Sequence, residues 1–240
     1  MKIKAVLFDL DATLLPMNQD LFIGGYLKGL AEYMEPYGYN FDSFTKSMWV
    51  AVKAMLKNDG SMTNEERFWQ TFSEALKKDA RKDEAVFEEF YKTKFQEYKD
   101  ICGYNPEAAE TVKTLKKRGY RVVLATNPFF PKIATDSRVR WAGLEPTDFE
   151  ICTTYENSKF CKPNPLYYAD LLEKLGLEPN ECLMVGNDVR DDMIAETLGM
   201  KVFLLTDCLI NIKNVDISKY PNGSYKELVQ YIENIYKRKP

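Results

Sequence analysis

The sequence predicts an α/β protein, a doubly wound parallel sheet with an all-helical domain inserted after its first strand. Three patterns carry that expectation. Short apolar runs recur that are continuous instead of alternating, as in strands covered on both faces. Helical segments with readable ends separate the later runs. Across residues 17–100 no strand-like run occurs, and apolar residues return at helical spacing.

The first run, IKAVLFD over residues 3–9, is predicted as the opening strand. Its continuation, AVLFDLDATLLP, puts Asp9 and Asp11 into an apolar stretch, where burying a carboxylate is costly unless something compensates it. The insert follows. In TNEERFWQTFSEALKKD, Thr63 and Glu66 form a capping box, while Phe68, Phe72, Ala75 and Leu76 share one face. The insert therefore reads as a bundle of about four helices whose aromatic residues fill its core.

Beyond it, Asn105-Pro106 opens a helix that stops at Gly119, and YRVVLAT (120–126) supplies the second strand. FEICTT (149–154) is predicted as the third strand, Pro165 to Gly176 as a helix, and CLMVG (182–186) as the fourth strand. DDMIAETLG reads as a helix stopped by Gly199, and KVFLLT (201–206) as the fifth strand. The run SYKELVQYIENIYKR, with a Ser224–Glu227 capping box, forms a last helix. The expected division is 1–16 with 101–240 for the sheet domain and 17–100 for the helical insert.

Composition narrows the function. A chain of 240 residues, 45% apolar, can build one large core with a smaller domain inserted. Its 33 basic and 36 acidic residues are spread along the length, so no basic face for nucleic acid is expected. Asp9 and Asp11 interrupt the N-terminal apolar run before it could serve as a signal-peptide core. No stretch approaches the roughly 20 apolar residues of a membrane helix, so no membrane partner is expected. The five cysteines lack CxxC spacing, which argues against a disulfide framework or zinc site and for a reduced cytoplasm. Histidine is absent, which excludes triads with a His base and His-ligated metals. Carboxylates, lysine, hydroxyls and a hard metal ion are left.

In an open parallel sheet, ligands bind beyond the carboxyl ends of the strands. The predicted strands present there Asp9 and Asp11, then Thr126-Asn127, then Lys162 in KFCKPNP, then the acids of VGNDVRDD. Carboxylates around one point repel unless a cation joins them, and with this donor chemistry the fitting ion is Mg²⁺. Metal, ammonium and hydroxyl together make a receptor for a phosphoryl group. Asp9 could attack phosphorus while Asp11 protonates the leaving oxygen and then activates water.

These residues resemble the haloacid dehalogenase superfamily of phosphohydrolases at four motifs. DLDAT is similar to its DxDx[TV] motif, LATN to the motif ending the second strand, KPNP to the lysine setting, and VGNDVRDD to the terminal acidic motif. The resemblance covers residues 1–15 and 105–210, and implies a Rossmann-like core with the insert as a helical cap. It implies that Asp9 is the nucleophile, forming an aspartyl-phosphate, and a magnesium ligand. Asp11 would be the general acid/base, with its backbone carbonyl on the metal. Thr126, Asn127 and Lys162 would bind the phosphoryl group, and Asp188 and Asp192 would complete the metal site.

Some alternatives stay open at this stage. In GNDVRDD, Asn187 or Asp188 can lead and Asp191 or Asp192 can follow, although a spacing of four favours Asp188 and Asp192. Lys159 is a second candidate for the reaching cation, and Thr126-Asn127 could instead cap a helix opening near Pro131. Gly24-Gly25 and Lys28 lie near the expected hinges, Leu15–Gln19 and Asp100–Asn105, but read as ordinary surface helix. Ala12 stands where the family commonly has glycine, and a left-handed backbone there would strain it. The expected activity is a Mg²⁺-dependent phosphatase for a small soluble phosphomonoester, because dehalogenases of the superfamily lack the second aspartate. A phosphomutase of the same superfamily and a non-catalytic phosphate-binding module are the alternatives.

Overall fold

The computed structural model describes residues 2–237. Strand β1 (Ala5–Phe8) is buried at every residue because it lies inside the sheet, parallel to β2 on one side and β3 on the other. After β1 the chain leaves the sheet for four helices: α1 (Gln19–Met34), α2 (Phe41–Leu56), α3 (Asn64–Leu76) and α4 (Glu84–Lys92). Side chains start the first three. Asn18, Asn40 and Thr63 each accept a backbone N–H of the first turn, and Thr63 forms the expected box with Glu66. A 3₁₀ stretch, Lys94–Ile101, returns the chain to the sheet layer.

Then come α5 (Pro106–Lys117), β2 (Arg121–Leu124), α6 (Lys132–Trp141), α7 (Pro165–Leu175), β3 (Cys182–Gly186), β4 (Lys201–Leu205), β5 (Asn222–Gly223) and α8 (Tyr225–Lys237). The strand order is β2-β1-β3-β4-β5, all parallel. Along β1, Val6 and Phe8 join the core shared with the cap, whereas Ala5 and Leu7 join the one beneath α7. That alternation is how a strand covered on both faces divides its side chains. The chain crosses from β1 to opposite sides at β2 and β3, so a crevice opens at their carboxyl ends. The architecture is the expected α/β sheet with a helical cap.

Two expected elements differ. FEICTT does not form a regular strand: beside β2 it makes a single parallel bridge, Leu124 to Cys152. Asn157 prevents more, since its side chain donates to the Cys152 carbonyl (2.8 Å) and accepts from the Thr154 N–H (2.9 Å), groups a ladder would use. The fifth strand is instead β5, two residues long and without a readable apolar run. DDMIAETLG is a 3₁₀ helix over Met193–Leu198, too short between Asp192 and Gly199 to develop regular α turns. Gly25 and Gly29 pack against Tyr98, and exposed Lys28 faces Glu32, which is the plain surface-helix role expected of that stretch.

Candidate active site

The chain turns sharply as it leaves β1. The N–H groups of Thr13 and Leu15 donate to the Leu10 carbonyl, and that of Ala12 to Leu15. This turn puts Ala12 at φ 62°, the left-handed region that strains alanine. Asp9 ends the strand, its N–H donating to the Val185 carbonyl of β3 (2.9 Å). The Thr13 hydroxyl lies 3.1 Å from Asp9 Oδ2 and 2.9 Å from Asn187 Oδ1, spanning the ends of β1 and β3. Tyr225, at the start of α8, donates its hydroxyl to the Thr13 carbonyl (2.9 Å).

Lys162 is the central cation. It is 1% exposed, and its Nζ donates to Asp9 Oδ1 (2.9 Å) and Asp192 Oδ1 (2.7 Å). Lys159, the other candidate, is exposed. Asn127 holds the Lys162 loop, accepting the Lys162 N–H (3.2 Å) and donating to its carbonyl (3.3 Å). It does not cap α6, whose N-terminal residue Pro131 supplies no side-chain bond. Thr126 is buried beside it, its carbonyl accepting from the hydroxyls of Thr153 and Tyr167.

The acidic loop after β3 distributes its groups unequally. Asp188 accepts the N–H groups of Arg190 (2.7 Å) and Asp191 (3.0 Å), and Asp191 accepts from Asn127 Nδ2 (3.3 Å). Asp192, grouped with the metal ligands on sequence, spends Oδ1 on Lys162 and Oδ2 on the Asp188 N–H (2.9 Å). It serves here as the second anchor of Lys162.

Sequence reasoning missed Arg138. This residue of α6 is 0% exposed, and its guanidinium forms an ion pair with Asp11 Oδ2 and lies over the Phe130 ring, 4.1 Å from the centroid. Asp11 Oδ1 is buried without a hydrogen-bond partner. A signal existed: Arg138 interrupts the buried stripe Ala134, Arg138, Trp141 at spacings of four and three, a charge where an apolar residue belongs.

All seven predicted site residues, with Asn187 and Asp191, contribute to this assembly or to the cavity beside it. Asp9, Asp11, Thr126, Asn127, Lys162, Asp188 and Asp192 line one cavity of about 1070 Å³ between cap and sheet. Burial pushes Asp9 up from 3.8 to about 7, with Asp192 and Asp11 adding to the effect and Lys162 opposing it. Burial, then Asp188 and Asp192, push Asp191 up to about 6, and burial raises Asp188 as well. For Lys162, burial works against the charge, but Asp192 and Asp9 outweigh it and hold the ammonium well above the ordinary lysine range.

The acids outnumber their cations. Asp9, Asp11, Asp188, Asp191 and Asp192 face Lys162 and Arg138, and every unsatisfied donor atom is an oxygen, which suits a hard divalent ion. Among the described residues no three Asp, Glu, His or Cys side chains already form a metal cage. The fit is therefore one of charge and donor type, with Asp9 and Asp188 as the side chains that could hold the ion; the Asp11 carbonyl accepts from Gln19 Nε2 (3.2 Å).

A pH consequence follows from Asp9 and Asp191. Their raised values mean that the folded protein keeps protons the unfolded chain has released, so stability falls as pH rises from about 4 to 7. A cation bound among these acids would replace those protons. Chelator-treated protein is expected to melt lower at pH 7.5 than at pH 5.5, and added Mg²⁺ to raise the Tm more at the higher pH. Equal shifts at both pH values in a thermal melt would count against a cation among these acids.

Comparison with known proteins agrees with this geometry. Residues 3–199 match the profile of haloacid dehalogenase-like hydrolases, and the chain belongs to that family of hydrolases. Among curated relatives, the pyrophosphatase PpaX of Bacillus cereus strain AH820 is 28% identical over 201 residues, covering 84% of this chain and 82% of that one. Among solved structures, a predicted phosphoglycolate phosphatase from Haemophilus somnus 129PT superposes with a TM-score of 0.59 at 19% identity, covering 96% of this chain and 98% of that one. The HAD hydrolase YfnB of Bacillus subtilis, described as bound to magnesium, superposes with a TM-score of 0.54 at 16% identity, covering 97% and 99%. Among the described residues no helix is long and apolar enough to cross a membrane, and the five cysteines are free.

Proposed function

We propose that the protein is a Mg²⁺-dependent phosphatase that hydrolyses a phosphomonoester through an aspartyl-phosphate on Asp9. The observation that carries this reading is Lys162, buried between Asp9 and Asp192 with Asp11 two residues beyond Asp9 on the same cavity. A binding module needs no such pairing of a nucleophile with a proton carrier. The names of the relatives, a pyrophosphatase and a phosphoglycolate phosphatase, support the same class.

Each residue has a role in this scheme. Asp9 attacks phosphorus and becomes the acyl phosphate. The leaving oxygen takes a proton from Asp11, which later accepts one from the water that hydrolyses the intermediate and returns Asp9. Arg138 holds Oδ2 of Asp11, leaving Oδ1, which has no protein partner, as the oxygen that carries the proton. Lys162, Thr126 and Asn127 receive the phosphoryl oxygens. When Asp9 is esterified and loses its charge, Lys162 keeps Asp192 as a counter-ion. Magnesium, held by Asp9, Asp188 and the Asp11 carbonyl, would supply positive charge at the phosphoryl group. In the same reading residues 17–100 form a cap that excludes water from a core made of 1–16 and 101–240.

Phosphate release from p-nitrophenyl phosphate and a panel of metabolite phosphomonoesters tests the proposal. Turnover with Mg²⁺ and its loss in EDTA are expected. Isomerised hexose phosphate without released phosphate would favour the mutase alternative, and no reaction on any ester with Mg²⁺ would favour the binding module.

A further inference from the structure

We propose that the phosphoryl group arrives on a bulky, ring-bearing leaving alcohol, whose body fills the space between cap and sheet. The proposal rests on the phosphatase reading and concerns the rest of the same cavity. A volume of about 1070 Å³ is at the upper end of pockets that enclose whole drug-sized ligands, and a phosphoryl group at Lys162 occupies only one end of it. The remainder has walls of Phe22, Tyr26, Phe68, Tyr91 and Phe129, and Trp49, 45% exposed, stands at its rim.

The walls select as well as enclose. The hydroxyls of Tyr26 and Tyr91 bond to each other (2.7 Å), so the polar hydrogens of this ring-faced wall come down to one O–H of that pair and the Trp69 Nε1–H. The cations on the wall other than Lys162 already face carboxylates: Lys92 with Glu88, Lys132 with Asp136, and Arg140 with Glu145. With Glu65, Glu84 and Glu156 also on the wall, a second phosphate or a carboxylate on the leaving group would meet an excess of negative charge. A compact dianionic ester would leave most of the cavity empty and its second charge unmatched, whereas a flat apolar body meets surface of its own kind.

Nor is the volume that of a cleft waiting to collapse. The cap is already docked: the N–H groups of Asn64 and Glu65 donate to the carbonyls of Ser158 (2.8 Å) and Tyr155 (2.8 Å), and Gln96 Nε2 donates to Ser137 Oγ (3.0 Å). These bonds tie α3 and the Lys94–Ile101 stretch to the sheet domain with the cavity still between them.

Titration calorimetry on the full chain, with 2-naphthylmethylphosphonate against methylphosphonate in Mg²⁺, reads the preference directly. The naphthyl compound is expected to bind at least about ten-fold tighter. Val52→Trp, which sends a ring into the cavity from α2, is expected to bring the ratio close to one. Should that variant melt early, Trp49→Ala at the rim reads the same ratio, with a loss of several-fold expected. Equal binding of the two phosphonates by the natural chain, or a preference unchanged in both variants, would overturn the proposal. Turnover separates it from the reading beneath: a naphthyl preference without hydrolysis of 2-naphthyl phosphate or glycerol 2-phosphate sinks the phosphatase and supports the cavity. Hydrolysis of both esters with equal kcat/KM sinks the cavity alone.

Discussion

Asp9→Asn is expected to abolish phosphate release, by about 10⁴-fold or more, while leaving the fold at least as stable at pH 7.5. The loss corresponds to more than ~5 kcal/mol of transition-state stabilisation, the scale seen when a covalent nucleophile is removed. Stability moves the other way because burial already holds the Asp9 carboxylate at about 7, so the folded state gains little from its charge. Lys162 does not become an orphan in the variant, since Asp192 stays 2.7 Å away. Steady-state kinetics and a thermal melt on one preparation check both parts. A variant that turns over p-nitrophenyl phosphate at the natural rate would sink the nucleophile assignment.

Arg138→Met is the second large effect, and it falls on both stability and turnover. The guanidinium is completely buried, and its removal strands Asp11 beside Asp9 in a pocket already rich in carboxylates. Breaking a buried pair by deleting one partner costs about 3–5 kcal/mol, and the upper part of that range needs both ions out of water. Asp11 retains one-fifth of its side-chain exposure, so a loss near the lower end, about 3 kcal/mol, is expected. The double variant Arg138→Met with Asp11→Asn should recover at least ~1 kcal/mol of it, as coupled neighbours do. Urea denaturation of the four proteins in the cycle measures this, and strictly additive losses would show that the pair contributes nothing. Turnover of Arg138→Met should fall about 10²-fold, because an unanchored Asp11 no longer presents a fixed oxygen to the leaving group.

Much of this site was readable from local pattern. Asp9, Asp11, Thr126 and Lys162 each follow an apolar run or precede a proline, so strand ends located them before any three-dimensional information. The acidic loop was harder. Four candidate side chains in six residues, Asn187, Asp188, Asp191 and Asp192, differ by one or two backbone steps, and only the fold shows that Asp192 turns to Lys162 while Asn187 meets Thr13. The third predicted strand failed because a six-residue propensity signal cannot register that Asn157, three residues past its end, takes the ladder's bonding groups. Arg138 belongs to a different category. Its partner Asp11 is 127 positions away, and no spacing rule links them. The bundle of aromatic residues was legible as packing, yet its enclosure of a cavity depends on how α1 to α4 sit over the sheet, which periodicity does not contain.

The bond from Tyr225 to the Thr13 carbonyl joins positions 212 residues apart. On the ribosome, the turn bearing the proposed nucleophile is therefore made well before the helix that braces it. Asn187, another neighbour of Thr13, also follows it by 174 positions. Until both have been made, the strained Ala12 is held in the left-handed conformation only by the turn's own bonds, from the Thr13 and Leu15 N–H groups to the Leu10 carbonyl and from the Ala12 N–H to that of Leu15. The nucleophile turn is thus completed by non-local contacts that close around a segment made long before them.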